Sequence, residues 1–217
     1  MIYINIGFPK TSSTNLQSNL YPMLPGLRYL GRNYHIKKDK FNSIDGVIFQ
    51  DLNNFVENRK KFSNEDYIKL IQDFKKNYSN EKILISNETW VIPYQKNNIT
   101  NKMEIVSQFV KLKNLIKFLN DIDQDFKFFI VKRDYNRSIK SLFSTLSFRI
   151  GEIFGEEYLD FNFFIDQIRK KEDNYENLVL LVDVFNLKKI KEIIPPEKIT
   201  IFNYRDILNN EKKFLGD

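Results

Sequence analysis

The sequence predicts a three-layer α/β protein, a parallel central sheet flanked by helices, on three observations. Four short runs have strand character, at Ile2–Gly7, Lys82–Ser86, Phe126–Lys132 and Ile199–Phe202, and the second and third are apolar enough to be buried. Amphipathic segments of helical period separate them, the arrangement that joins parallel strands by crossover helices. Composition agrees: 20 Phe, 11 Tyr and 1 Trp furnish a large core, while 7 Gly and 6 Pro in 217 residues argue for regular elements. With no internal repeat and no low-complexity tract, residues 1–217 are expected to form a single domain.

In chain order, Ile2–Gly7 is the first strand, ended by Pro9. Thr11-Ser12-Ser13-Thr14 offers N-cap hydroxyls to a short helix carrying Leu16 and Leu20, which Pro22 and Pro25 close. Residues 26–62 show no clear period, and no element is assigned there. Ser63 and Asp66 stand at capping-box spacing before the stripe Tyr67, Leu70, Ile71, Phe74 and Tyr78. Lys82–Ser86 follows as a buried strand. Ile105, Phe109, Leu112, Ile116 and Leu119 then recur in steps of four and three, an amphipathic helix. After the strand Phe126–Lys132 comes a helix through Ile139, Leu142, Phe143 and Leu146. Phe161–Ile168 and Leu178–Ile190 are two further helices, the second stopped by Pro195-Pro196, and Ile199–Phe202 is the last strand.

Composition also excludes chemistry. Without cysteine there is no disulfide framework, thiolate nucleophile, iron–sulfur cluster or zinc finger. A single histidine excludes a two-histidine metal site and makes any Ser-His-Asp triad depend on His35. Lys+Arg 34 against Asp+Glu 28 gives a net charge of +6, spread along the chain. That suits an anionic ligand better than a nucleic acid, for which a clustered basic stripe is expected. The start Met1-Ile2-Tyr3-Ile4-Asn5-Ile6 is too short and too alternating for a signal peptide, and no apolar run approaches membrane-spanning length. A cytoplasmic protein without an integral membrane segment is the expectation; oligomeric state is not legible.

In parallel sheets ligands bind beyond the carboxyl ends of the strands. Three such ends carry unusual polar residues: Lys10-Thr11-Ser12-Ser13-Thr14, then Ser86-Asn87-Glu88, then Arg133. The first is a strand, a turn with a lysine, several hydroxyls and a helix start. Amides, helix dipole and ammonium can converge there on one anion. It is not a Walker A loop, because Gly7 lies three residues before Lys10 and no second glycine follows.

The string Ile6-Gly7-Phe8-Pro9-Lys10-Thr11-Ser12-Ser13-Thr14-Asn15-Leu16-Gln17 resembles the 5′-phosphosulfate loop of the PAPS-dependent sulfotransferases. A second signature of that family, an arginine at a strand end and a serine eight residues on, is matched by Arg133 and Ser141. Phe202-Asn203-Tyr204-Arg205-Asp206-Ile207-Leu208 and Phe214-Leu215-Gly216 resemble its C-terminal elements, and Ser86-Asn87-Glu88 is similar to its bacterial, carbohydrate-directed branch. The resemblance implies a P-loop-like architecture and transfer of a sulfuryl group from PAPS to a hydroxyl or amine, the acceptor being a carbohydrate. It implies that Lys10, Thr11, Ser12, Ser13 and Thr14 bind the 5′-phosphosulfate, with Lys10 also assisting the leaving group. Arg133 and Ser141 would grip the 3′-phosphate, and Glu88 would be the general base. PAPS is then co-substrate, PAP the product, and no metal is called for. Ser12 stands where the family has glycine, and Arg205 where it has glutamate. The alternative is therefore an inactive PAP-, phosphate- or glycan-binding module of the same fold. A P-loop kinase is disfavoured by the missing Walker glycine.

Other residues have plainer readings beside functional ones. His35 does not match the family's base position. Trp90 could stack on a base or a sugar, or fill the core. Arg149 could face an acidic acceptor, though an exposed helix-end role is favoured. Asp121-Ile122-Asp123 has the form of a metal–nucleotide motif but precedes its strand, which places it at the wrong end of the sheet.

Overall fold

Strand β1 (Ile2–Asn5) occupies the middle of a five-stranded sheet of order β2-β3-β1-β6-β7. A computed structural model of the chain describes residues 1–6, 16–31, 43–58, 62–96, 103–132, 134–171, 176 and 187–203. The other strands are β2 (Arg28–Gly31), β3 (Ile83–Ser86), β6 (Phe126–Lys132) and β7 (Ile199–Asn203), and every pairing is parallel. All four residues of β3 are buried, so both its faces are covered, as the apolar run predicts. The α/β fold class expected from the sequence is the one observed.

The helices are α1 (Ile44–Val56), α2 (Asn64–Tyr78), α3 (Gln108–Asp121), α4 (Tyr135–Phe154), α5 (Phe161–Lys170) and α6 (Leu187–Ile193). Ser63 and Asp66 form the expected capping box: Ser63 Oγ accepts from the Asp66 amide at 3.0 Å, and Asp66 Oδ2 accepts from the Ser63 amide at 3.1 Å. Ser43 and Asp160 cap α1 and α5 by accepting from the amides of Gly46 and Phe163. The core joins Ile2, Ile4, Ile85, Phe128 and Ile130 of the sheet to Leu52, Phe74, Leu115 and Phe118 of the helices. Phe74 and Phe118 meet edge to face with centroids 5.1 Å apart, a geometry that adds about 1 kcal/mol to the burial of both rings.

Three elements differ from the sequence expectation. Residues 26–62 contain β2 and α1; the 3.6-residue period of α1 is blurred because Ile44 and Val47 are exposed while Asn54 is buried. Ile105 belongs not to a helix but to β5 (Met103–Ile105), paired antiparallel with β4 (Tyr94–Lys96), and α3 begins after it with Ser107 as its N-cap. Leu16 and Leu20 bound a π-helical turn that runs into a 3₁₀ turn at Tyr21–Met23. Of the helix expected over Leu178–Ile190, residues 178–186 lie outside the described residues.

α1 is tied down at both of its ends. Its start is tied to the first residue of β2, where Arg28 pairs with Asp45 at 2.6 Å and with Glu81 at 2.9 Å. Its end is tied beyond β3, where Asn53 Oδ1 accepts from Asn87 Nδ2 at 2.6 Å. The helix therefore runs in the direction of the strands and delivers its last turn to their carboxyl ends.

Candidate functional site

β1 and β6 are neighbours, with Asn5 level with Phe129. The chain leaves β1 for β2 on one side of the sheet and leaves β6 for β7 on the other. The crevice between their carboxyl ends is thus a topological switch point, where open α/β sheets take their ligands. The segment after β1 carries Lys10, Thr11, Ser12, Ser13 and Thr14, and the residue after β6 is Arg133. These residues, and His35, lie outside the described residues.

Residues on either side of that segment are held at the same edge. Ile6 is buried, and Asn5 Nδ2 donates to the Tyr21 hydroxyl. Burial pushes the Tyr21 phenol far above the usual tyrosine range, against the smaller opposing effect of the Asn5 hydrogen bond, so it sits there as a neutral OH. Gln17 is buried, and its Nε2 donates to Ser86 Oγ at the end of β3 over 2.9 Å. On the β6 side, α4 starts at once: the Ser138 amide bonds to the Asp134 carbonyl at 2.9 Å, and Ser141 is half-buried one turn further along. Gln17 Oε1 and Ser138 Oγ are buried without a hydrogen-bond partner among the described residues.

Glu88 follows β3 by two residues, and Ser86 is level with Asn5 of β1. It is half-buried and opens a 3₁₀ turn, Glu88–Val91, capped by Asn87, whose Oδ1 accepts from the Thr89 amide at 2.9 Å. Behind this turn is a polar cluster in the core. Asn53 Oδ1 accepts from both Asn87 Nδ2 at 2.6 Å and Trp90 Nε1 at 2.8 Å. Thr89 Oγ1 donates to Glu57, the C-cap residue of α1. Lys111 Nζ donates to the carbonyls of Thr89 at 3.2 Å and Ile92 at 2.7 Å. Glu57 and Lys111 are 0% and 1% exposed, unusual burial for charged residue types.

The remaining sequence candidates fall elsewhere. Trp90 is fully buried, with its ring in the core beside Phe49. Arg149 is exposed on α4 and pairs with Glu152 at 2.8 Å. Asp121 ends α3, where it accepts from Lys117 and from the Tyr67 hydroxyl; those two hydrogen bonds hold its carboxyl below the usual range. Asp123 sits just past the helix with φ 56°. Neither aspartate is at the carboxyl edge of the sheet, since both precede β6.

The chain is similar in fold to a crystallised sulfotransferase from Alicyclobacillus acidocaldarius. The superposition has a TM-score of 0.50 at 11% identity and covers 98% of this chain and 76% of that one. At that identity the likeness is one of fold. No protein-family model matches the chain, and no curated protein sequence matches it. Sequence reasoning did not single out Gln17, Asn53, Glu57 or Lys111. Lys111 carried a signal, because it shares a helical face with Leu115, Phe118 and Ile122, all buried. Asn53 and Glu57 carried none once α1 went unread.

Proposed function

We propose that the protein is a PAPS-dependent sulfotransferase acting on a hydroxyl or amine, with a carbohydrate as acceptor. The observation that carries the reading is positional. The segments with Lys10–Thr14 and Arg133 follow two adjacent parallel strands at a switch point, and Glu88 follows the strand on the other side of β1. The fold shared with a sulfotransferase supports it.

In this reading the acceptor oxygen attacks sulfur as the bond from sulfur to the bridging phosphate oxygen breaks. Charge grows on the departing 5′-phosphate, and Lys10 with the amides and hydroxyls of residues 11–14 neutralises it. Glu88 takes the acceptor proton. Arg133 supplies a bidentate fork for the 3′-phosphate, with Ser141 adding a hydroxyl, which separates PAPS from ATP. The remainder of the work is alignment of the acceptor with the scissile bond. The reading extends to a single domain over residues 1–217 and to a cytoplasmic setting. Among the described residues no helix is long and apolar enough to cross a membrane.

Variants divide the roles. Lys10→Ala and Arg133→Ala should each abolish or greatly weaken PAP binding measured by calorimetry, whereas Glu88→Gln should bind PAP as wild type does and transfer no sulfate. Wild-type PAP affinity in Arg133→Ala would overturn the assignment. Ser12 in the place of the family's glycine favours a second reading, a non-catalytic PAP-binding module. PAP binding without transfer to any of a broad panel of glycans would select it.

A further inference from the structure

We propose that Asn53, Glu57 and Lys111 are positioning residues that clamp the turn carrying Glu88 into one geometry. The inference rests on the reading of Glu88 as the general base, and it starts from the cost of the cluster itself. A buried carboxyl group and a buried lysine seldom add stability over apolar residues of similar volume. Hydrogen-bonded polar groups in a core do, however, favour one arrangement of the segment they hold.

Several of the cluster's hydrogen bonds converge on residues 87–92. Asn53 takes the Asn87 and Trp90 side chains, Glu57 takes the Thr89 hydroxyl, and Lys111 takes the Thr89 and Ile92 carbonyls. Asn87 in turn receives the Thr89 amide on its Oδ1. The clamped residues are thus the immediate neighbours of Glu88 on both sides. The clamping groups come from two helices: the last turn and C-cap of α1, and the first turn of α3, where Lys111 lies. α1 can contribute only because it runs with the strands and ends at their carboxyl edge. A base must be held within a fraction of an ångström of the acceptor proton, and here the segments on either side of Glu88 are tied down through the core.

Asn53→Leu removes both hydrogen bonds accepted by Oδ1, and Asn53→Asp keeps an oxygen able to accept them. For folded Asn53→Leu the clamp predicts amide hydrogen exchange at Thr89 and Ile92 faster by about tenfold or more, with Leu70 in α2 unchanged. With PAPS and an active acceptor, kcat should fall by about 10- to 100-fold while PAP affinity is unmoved. Asn53→Asp should restore both. If Asn53→Leu does not fold, Trp90→Phe, which withdraws one donor and keeps an aromatic ring, carries the same two readouts. Wild-type exchange at Thr89 and Ile92, or a wild-type kcat, in a folded variant that lacks these bonds would overturn the clamp. Faster exchange in Asn53→Leu together with no transfer by the wild-type protein would uphold the clamp as a support of the turn and count against the sulfuryl-transfer reading.

Discussion

Replacing Lys111 by Met tests how much the buried polar cluster contributes to the fold. The ammonium makes hydrogen bonds of 3.2 Å and 2.7 Å to two main-chain carbonyls. Hydrogen bonds to charged groups are each worth about 1.5–3 kcal/mol, and the longer of these two belongs at the low end. Methionine matches the lysine stem and offsets part of this by packing. A net loss of about 2–4 kcal/mol follows, which for a chain of this size lowers Tm by about 4–16 °C. Urea and thermal unfolding measure it. The double variant Lys111→Met/Glu57→Gln should be more stable than the two single losses added together, by about 1–3 kcal/mol, because both groups bond to Thr89. A Lys111→Met loss below about 1 kcal/mol, or strict additivity in the double variant, would refute the coupling.

Two other perturbations have simple expected outcomes. Ser63→Ala removes one half of the α2 capping box and should cost about 1 kcal/mol in urea unfolding; no change would mean that the exposed cap contributes nothing. Burial first, and then its hydrogen bond to Asp121, push the Tyr67 phenol up to about 12, so the difference between the 295 nm titrations of wild type and Tyr67→Phe should centre near pH 12. Because the folded value is raised, this contribution to stability is complete below the ordinary tyrosine range and is lost as pH rises through the folded value. A difference titration centred on the ordinary value of about 10 would contradict it.

Where hydrophobic pattern and local chemistry agreed, the fold was readable in the sequence. The α2 capping box, the buried strand β3 and the strand–helix step from β6 into α4 are all local, and each is where the residues place it. α1 was not readable because its stripe is broken at both ends, by exposed Ile44 and Val47 and by buried Asn54. The β4–β5 ribbon was missed because its strands are three residues each, too short to show a period, and Ile105 fell in step with the helix that follows. For the candidate site the strand ends were legible because polar residues after apolar runs are conspicuous. The groups behind Glu88 were not, since Asn53, Glu57 and Lys111 come from separate helices and meet only through the tertiary arrangement.

We propose that the carboxyl edge around β1 and β6 binds a nucleotide by its 5′- and 3′-phosphates together. Calorimetric titration with PAP, against AMP and ATP, tests it most directly. Tight PAP binding with AMP and ATP much weaker is expected, and loss of that preference in Arg133→Ala. Failure to bind PAP, or equal affinity for PAP and AMP, would contradict it.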